Sequence, residues 1–178
     1  CQGFSLTGAR RKDDDRNKLF YSVFKLAKRL KPQAVIIENV PGLATLYEGH
    51  AKDAILEEFQ KLKLTSNYKV LFAPDFEVPQ IRKRIFFVGL NSKLGTFEFP
   101  KEVLTPDKYN TTSIAISDLP SRENDFGVEQ DKYDKPAKTE YQKKMRNGSK
   151  VLFNHVATKH TDHVINVISQ VPEGGNHK

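Results

Sequence analysis

Three short stretches carry side chains suited to covalent chemistry. The first is Cys1-Gln2-Gly3-Phe4-Ser5, and Cys1 is the only cysteine in the 178 residues. The second is Glu38-Asn39-Val40 at the end of an apolar run, and the third is Gln80-Ile81-Arg82-Lys83-Arg84 just before another. Cysteine is the most nucleophilic side chain near neutral pH and forms covalent intermediates readily. A carboxylic acid beside it donates a proton to a ring nitrogen and makes the ring electrophilic. Arg82 and Arg84 alternate, so in an extended segment they share a face. One could grip a carbonyl oxygen and the other a phosphate. Each stretch also has a plainer reading: an inert buried thiol, a loop carboxylate, a solvated Arg-x-Arg edge. Their order and spacing carry the argument. His155, His160 and His163 lack cysteine partners and are too few for a closed four-ligand zinc site, so no metal is expected.

These groups need a scaffold, and the hydrophobic pattern supplies one. From Asn17 onward Leu19, Phe20, Val23, Phe24, Ala27 and Leu30 recur at helical spacing, with Asp15 or Asn17 as cap and Pro32 as stop. Ala34 to Ile37 is a continuous apolar run, which predicts a strand buried on both faces of a parallel sheet. It ends at Glu38, and Pro41-Gly42 opens a loop. A second amphipathic helix is predicted at about 50–62, and strands at 68–73 and 85–90. Strand, helix, strand order marks an α/β doubly wound fold. In such a sheet ligands bind at the carboxyl ends of strands. Glu38 sits at such an end, and Cys1 would follow a strand lying just before it in the chain.

Past Pro100 the sequence turns polar. The catalytic-type pattern is therefore assigned to residues 1–100, and residues 101–178 read as a connecting segment with a polar helix at about 137–146 and an amphipathic one at about 161–171. A formal net charge of +7 favours a polyanionic partner. The charged run from Arg10 to Arg16 reads as solvated surface. No apolar run approaches the roughly 20 residues that span a bilayer, and no leader pattern is present, so neither a membrane nor secretion is indicated. A single cysteine fits a reducing compartment.

Taken together, these residues resemble the DNA (cytosine-5) methyltransferases. Cys1-Gln2-Gly3-Phe4-Ser5 is similar to that family's Pro-Cys-Gln loop without its proline. Glu38-Asn39-Val40 resembles its Glu-Asn-Val motif, and Gln80 to Arg84 its Gln-x-Arg-x-Arg element. The likeness continues through Asp15 to Phe20, Ile116 to Pro120, Tyr141 to Arg146 and Asn154 to Ala157, the last at the entry to a target-recognition region. It implies part of a Rossmann-like methyltransferase sheet, the C-terminal half of a catalytic domain, followed by the start of that region. It also implies a mechanism in which a cytosine is flipped out of double-stranded DNA. Cys1 attacks its C6, Glu38 bonds N3 and the exocyclic amine, Arg84 binds O2 and Arg82 holds the flipped strand. S-adenosylmethionine is the implied methyl donor, with Leu19 near it; Gln2, Ser5, Arg82 and Arg84 are implied DNA contacts. Asn39 is expected to order the backbone.

The family's Phe-x-Gly-x-Gly cofactor loop, its last two motifs and most of its target-recognition region have no counterpart in these residues. The chain is therefore expected to be an internal fragment, neither binding S-adenosylmethionine tightly nor methylating DNA by itself. A restriction–modification role in a bacterial cytoplasm or nucleoid is the expected setting. Two rivals stay open at this point. One is an N-terminal-nucleophile cysteine hydrolase, with the α-amino group as base. The other is a non-catalytic DNA-binding module that kept the methyltransferase fold.

Overall fold

The structure, a computed structural model, describes residues 19–123, 125–172 and 174–175. Cys1, Gln2 and Ser5, and the expected caps Asp15 and Asn17, lie outside the described residues. The chain divides into two compact units, residues 1–111 and 112–178.

In the first unit, helix α1 (Phe20–Leu30) turns Phe24 and Ala27 inward. Lys31 closes it in the left-handed conformation (φ 49°), its N–H donating to Ala27 O, and Pro32 forbids continuation. Strand β1 (Ala34–Asn39), helix α2 (His50–Lys61), strand β2 (Leu64–Phe72) and strand β3 (Lys83–Asn91) follow. The strand order is β1-β3-β2, and β3 runs antiparallel to both neighbours. The expectation that Ala34 to Ile37 is buried on both faces of a parallel sheet is therefore corrected. Burial along β1 alternates, with Val35, Ile37 and Asn39 inward and Ile36 left 62% exposed. The reason is position: among the described residues β1 is an edge strand, and α1 and α2 cover only one face of it.

That covered face holds the core. Val35, Ile37, Ile85 and Phe87 of the sheet meet Phe24 and Ala27 of α1 and Ile55 and Phe59 of α2. Each of these side chains other than Ala27 contributes about 1.5–3 kcal/mol by leaving water. Phe24 and Phe59 pack edge to face, with centroids 5.0 Å apart. Gly89 lets α2 sit this close: a Cβ there would lie 2.3 Å from Phe59 Cδ1.

Beyond β3 the chain returns to the loop between β2 and β3. Val103 N and Leu104 N donate to Asp75 O at 2.9 and 3.1 Å, the Tyr109 hydroxyl donates to the Asp75 carboxylate, and Asn110 Nδ2 donates to Glu77 O at 3.0 Å. Ala73 N donates to Arg82 O at 2.9 Å and closes the base of that loop. The Asp75 carboxylate holds the Tyr109 hydroxyl proton and pushes that group above its ordinary range.

The second unit is small, and polar contacts do much of its folding. It contains α3 (Thr112–Ile116), a two-stranded sheet of β4 (Gln130–Lys132) and β5 (Val151–Phe153), α4 (Glu140–Arg146) and α5 (Asp162–Ser169). Thr139 and Gln142 form a reciprocal capping box at α4. The Gln142 amide, 1% exposed, also donates to Ile114 O and Ser117 Oγ at 2.9 and 3.0 Å. Asp118 is 3% exposed and receives Arg146 Nε at 2.8 Å and Nη2 at 2.5 Å; the same guanidinium lies 3.6 Å over the Tyr133 ring. Arg122 donates to His155 O at 2.9 Å and pairs with Asp125 and Asp131. Gly127, at φ 73°, is required because a Cβ would meet His155 O at 2.4 Å.

Arg122 holds the Asp131 carboxyl below its ordinary value, first through its hydrogen bond, with the Lys132 N–H adding to it. The carboxylate is thus the favoured form in the folded state. Its contribution to stability is present above the unfolded value of 3.8 and is lost as pH falls through the lowered folded value. Thermal unfolding followed from pH 5 to pH 2 should show an acid limb that is shallower in Asp131→Asn. Parallel limbs would remove this residue from the account.

Candidate active site at the strand ends

Glu38 and Arg84 come together. Glu38 stands opposite Phe86 in the β1–β3 register, so Arg84, two residues before Phe86, projects from the same sheet face. Arg84 Nε lies 2.7 Å from Glu38 Oε1, with the two side chains 23% and 48% exposed. Arg84 Nη1 also donates to Lys83 O at 2.8 Å, which limits how the guanidinium can swing. The pair lies on the face opposite the helical core and is open to solvent.

Asn39 points the other way. It is 4% exposed, and its Oδ1 accepts from Val40 N at 2.9 Å. Val40 O accepts from Leu43 N at 3.1 Å in the 3₁₀ turn Pro41–Ala44, and Leu43 is 1% exposed. A buried amide before the turn and a buried leucine within it therefore pin this stretch of chain. This fixes the end of β1 from which Glu38 projects, in keeping with an ordering role for Asn39.

Arg82 precedes β3 on an exposed stretch, and among the described residues its guanidinium has no ion pair. Its backbone carbonyl closes the β2–β3 loop, which sets where that free cation stands. Leu19 lies just before α1 and is 57% exposed. It continues into an exposed apolar row with Val23, Leu26 and Leu30. Such a surface suits an aromatic ring but offers no group for a ribose or an amino-acid carboxylate. Leu19 thus stands at an exposed apolar edge of the described residues. Among them, no cluster of His, Cys, Asp or Glu could hold a metal ion, and no helix is long and apolar enough to cross a membrane.

Glu38 and Arg84 thus stand side by side at strand ends of an α/β sheet, and comparison with known proteins shows the family of the chain. The fold matches a crystal structure described as a prophage-encoded DNA modification methyltransferase (E. coli), with a TM-score of 0.61 and 20% identity over 96% of this chain and 53% of that one. The family profile of C-5 cytosine-specific DNA methylases matches residues 1–174. The chain belongs to that family. Type II methyltransferase M.DdeI of Desulfomicrobium norvegicum is 36% identical, over 98% of this chain and 43% of that protein. Type II methyltransferase M1.HphI of Haemophilus parahaemolyticus is 32% identical, over 99% and 41%. The chain thus spans under half the length of these relatives. Family membership decides against the N-terminal-nucleophile hydrolase.

Proposed function

We propose that this chain is the catalytic part of a DNA cytosine-5 methyltransferase, acting on a cytosine flipped out of duplex DNA, with S-adenosylmethionine as methyl donor. Because it spans under half of its relatives, the activity is proposed for an enzyme of their full length that carries this chain. One observation supports the reading most directly: Glu38 and Arg84 present an acid and a cation 2.7 Å apart. N3 and O2 are neighbouring atoms on the cytosine edge, one wanting a proton and the other a hydrogen-bond donor. An acid and a guanidinium side by side meet that edge as a unit.

In this reading Cys1 adds to C6 as its thiolate, forming the S–C6 bond. Arg84 turns from Glu38 to hold O2; Glu38, having taken up a proton from solvent as that cation leaves it, gives the proton to N3, so the displaced electron pair does not build charge on the ring. The ring then carries nucleophilic character at C5, where the methyl group is accepted. Loss of the C5 proton to a base expels the thiolate and restores the aromatic ring. Arg82 is free to hold a backbone phosphate of the flipped strand, and Gln2 and Ser5 are assigned to DNA. Leu19 is assigned to the donor's apolar edge. The proposed setting is a bacterial cytoplasm, as the modifying partner in restriction–modification.

The test separates proton donation from binding. Glu38→Gln keeps the length of the side chain and removes the proton. It should slow methyl transfer by about 10²–10⁴-fold, the usual worth of a positioned general acid. Arg84→Gln should weaken cytosine binding as well. A Glu38→Gln enzyme of undiminished kcat would overturn the assignment.

A further inference from the structure

The end of the sheet remote from Glu38 carries a second charged feature. Lys28 and Lys31 come from the end of α1, Lys61 and Lys63 from the end of α2, and Lys93 from the turn after β3. They surround a cavity of about 430 Å³ that Ser92 also lines. Lys61 is engaged by Glu58 at 2.6 Å. Among the described residues, the ammonium groups of the other four have no acidic partner.

Helix polarity explains only part of this cluster. A cation in the last turn of a helix meets its unsatisfied carbonyls, and Lys28 of α1 and Lys61 of α2 hold such positions. Lys63 lies beyond the end of its helix, and Lys93 belongs to a different element altogether. Three elements that are distant in sequence deliver cations to one rim, and a charge excess remains.

We propose that this rim binds the sugar-phosphate backbone of duplex DNA without regard to sequence, at a place separate from the cytosine site. Arg84 and Asn91 stand near opposite ends of β3, about 24 Å apart at the rise of an extended strand. A phosphate held here is therefore not one that flanks the cytosine presented to Glu38 and Arg84. The ligand chemistry follows from the donors. The two helix ends facing the cavity are carbonyl ends, so no cradle of backbone N–H groups awaits a compact anion. Lysines are point charges on flexible stems and lack the planar fork that reads a base edge. Spread around an open rim, they suit successive phosphates, each contact releasing a counterion. The proposal rests on the reading of a DNA-acting enzyme but requires no catalysis.

The experiment measures binding of the 178-residue chain to a fluorescein-labelled poly(dA)·poly(dT) duplex, which contains no cytosine, by anisotropy from 50 to 300 mM NaCl. Combined Lys28→Ala, Lys31→Ala, Lys63→Ala and Lys93→Ala should reduce the slope of log K against log salt by about 3–4, at ~0.9 per phosphate contact. At the lowest salt the affinity should fall at least ~10-fold. All four side chains are exposed, so the melting temperature should hold, and the corresponding quadruple Lys→Arg variant should keep the slope. The charged run from Arg10 to Arg16 is present in every variant and cancels. An unchanged slope in the alanine variant overturns the proposal, as does full displacement of the duplex by 1 mM tripolyphosphate through the same four lysines. Failure of cytosine methylation in the full-length enzyme would sink the catalytic reading and leave this result standing.

Discussion

Cys1→Ser is expected to abolish covalent capture of the full-length enzyme on a duplex whose target carries 5-fluorocytosine. The fluorinated base converts a transient adduct into a permanent one. After C6 is attacked and C5 is methylated, release requires C5 to lose a proton, and fluorine cannot leave as a cation. The complex therefore survives denaturing electrophoresis. Serine preserves the size of the residue and its capacity to hydrogen-bond, but not the nucleophile. A cysteine of ordinary pKa near 8.5 is a few per cent thiolate at neutral pH, and a nearby cation raises that fraction. An alcohol offers essentially no alkoxide there. The expected readout is a shifted band for the wild-type enzyme and none for Cys1→Ser, with DNA affinity within ~3-fold. Glu38→Gln should give the same band slowly, because it lacks the acid and keeps the thiol. Equal capture by Cys1→Ser would assign the nucleophile elsewhere.

How far the sequence foretells this molecule depends on which property is asked about. Helical periodicity located α1 and α2 to within a few residues, because Phe24, Ala27, Ile55 and Phe59 must all reach one core. The direction of β3 was harder. An apolar run such as Ile85 to Val88 reads alike in parallel and antiparallel pairing. The better signal was the connection from Ala73 to Arg82, too short and too irregular for the crossover helix that parallel neighbours need. β2 begins at Leu64 rather than at 68, since Thr65, Ser66 and Asn67 are polar yet pair with Leu90, Gly89 and Val88. The antiparallel pair of β4 and β5 has three-residue strands and gave no pattern to read.

The site shows the same division. Glu38 and Arg84 were both legible as residue types in motifs. Their meeting depends on the register that sets Glu38 opposite Phe86, which no local pattern encodes. The motif-like stretches near 117–120, 141–146 and 154–157 have a structural explanation in the second unit. Asp118 pairs with Arg146, Ser117 accepts from Gln142, and His155 Nε2 lies 2.8 Å from Pro120 O. The lysine rim was invisible as linear charge, because its members are scattered from residue 28 to residue 93.

That dependence on register makes Gly89 a sensitive backbone position in the first unit. Gly89→Ala is expected to destabilise the chain by about 3 kcal/mol, at the upper end of the usual cost of overpacking. The added Cβ would meet Phe59 Cδ1 at 2.3 Å, Phe59 Cε1 at 2.5 Å and Leu64 Cβ at 3.2 Å. The ring has little room to retreat, since Phe59 is 0% exposed and is backed by Phe24 at 5.0 Å. The strand has little room either, because β3 is hydrogen-bonded along both edges, to β1 and to β2. Whichever yields, the cost appears in the sheet that aligns Arg84 with Glu38. For a chain of this size the melting midpoint should fall by about 6–12 °C. A double-mutant cycle identifies the cause. Phe59→Leu opens a cavity and costs stability alone, but combined with Gly89→Ala it relieves the clash, so the two changes should fall short of additivity by about 1–3 kcal/mol. Strict additivity would show that the glycine is needed for a reason other than the approach of Phe59.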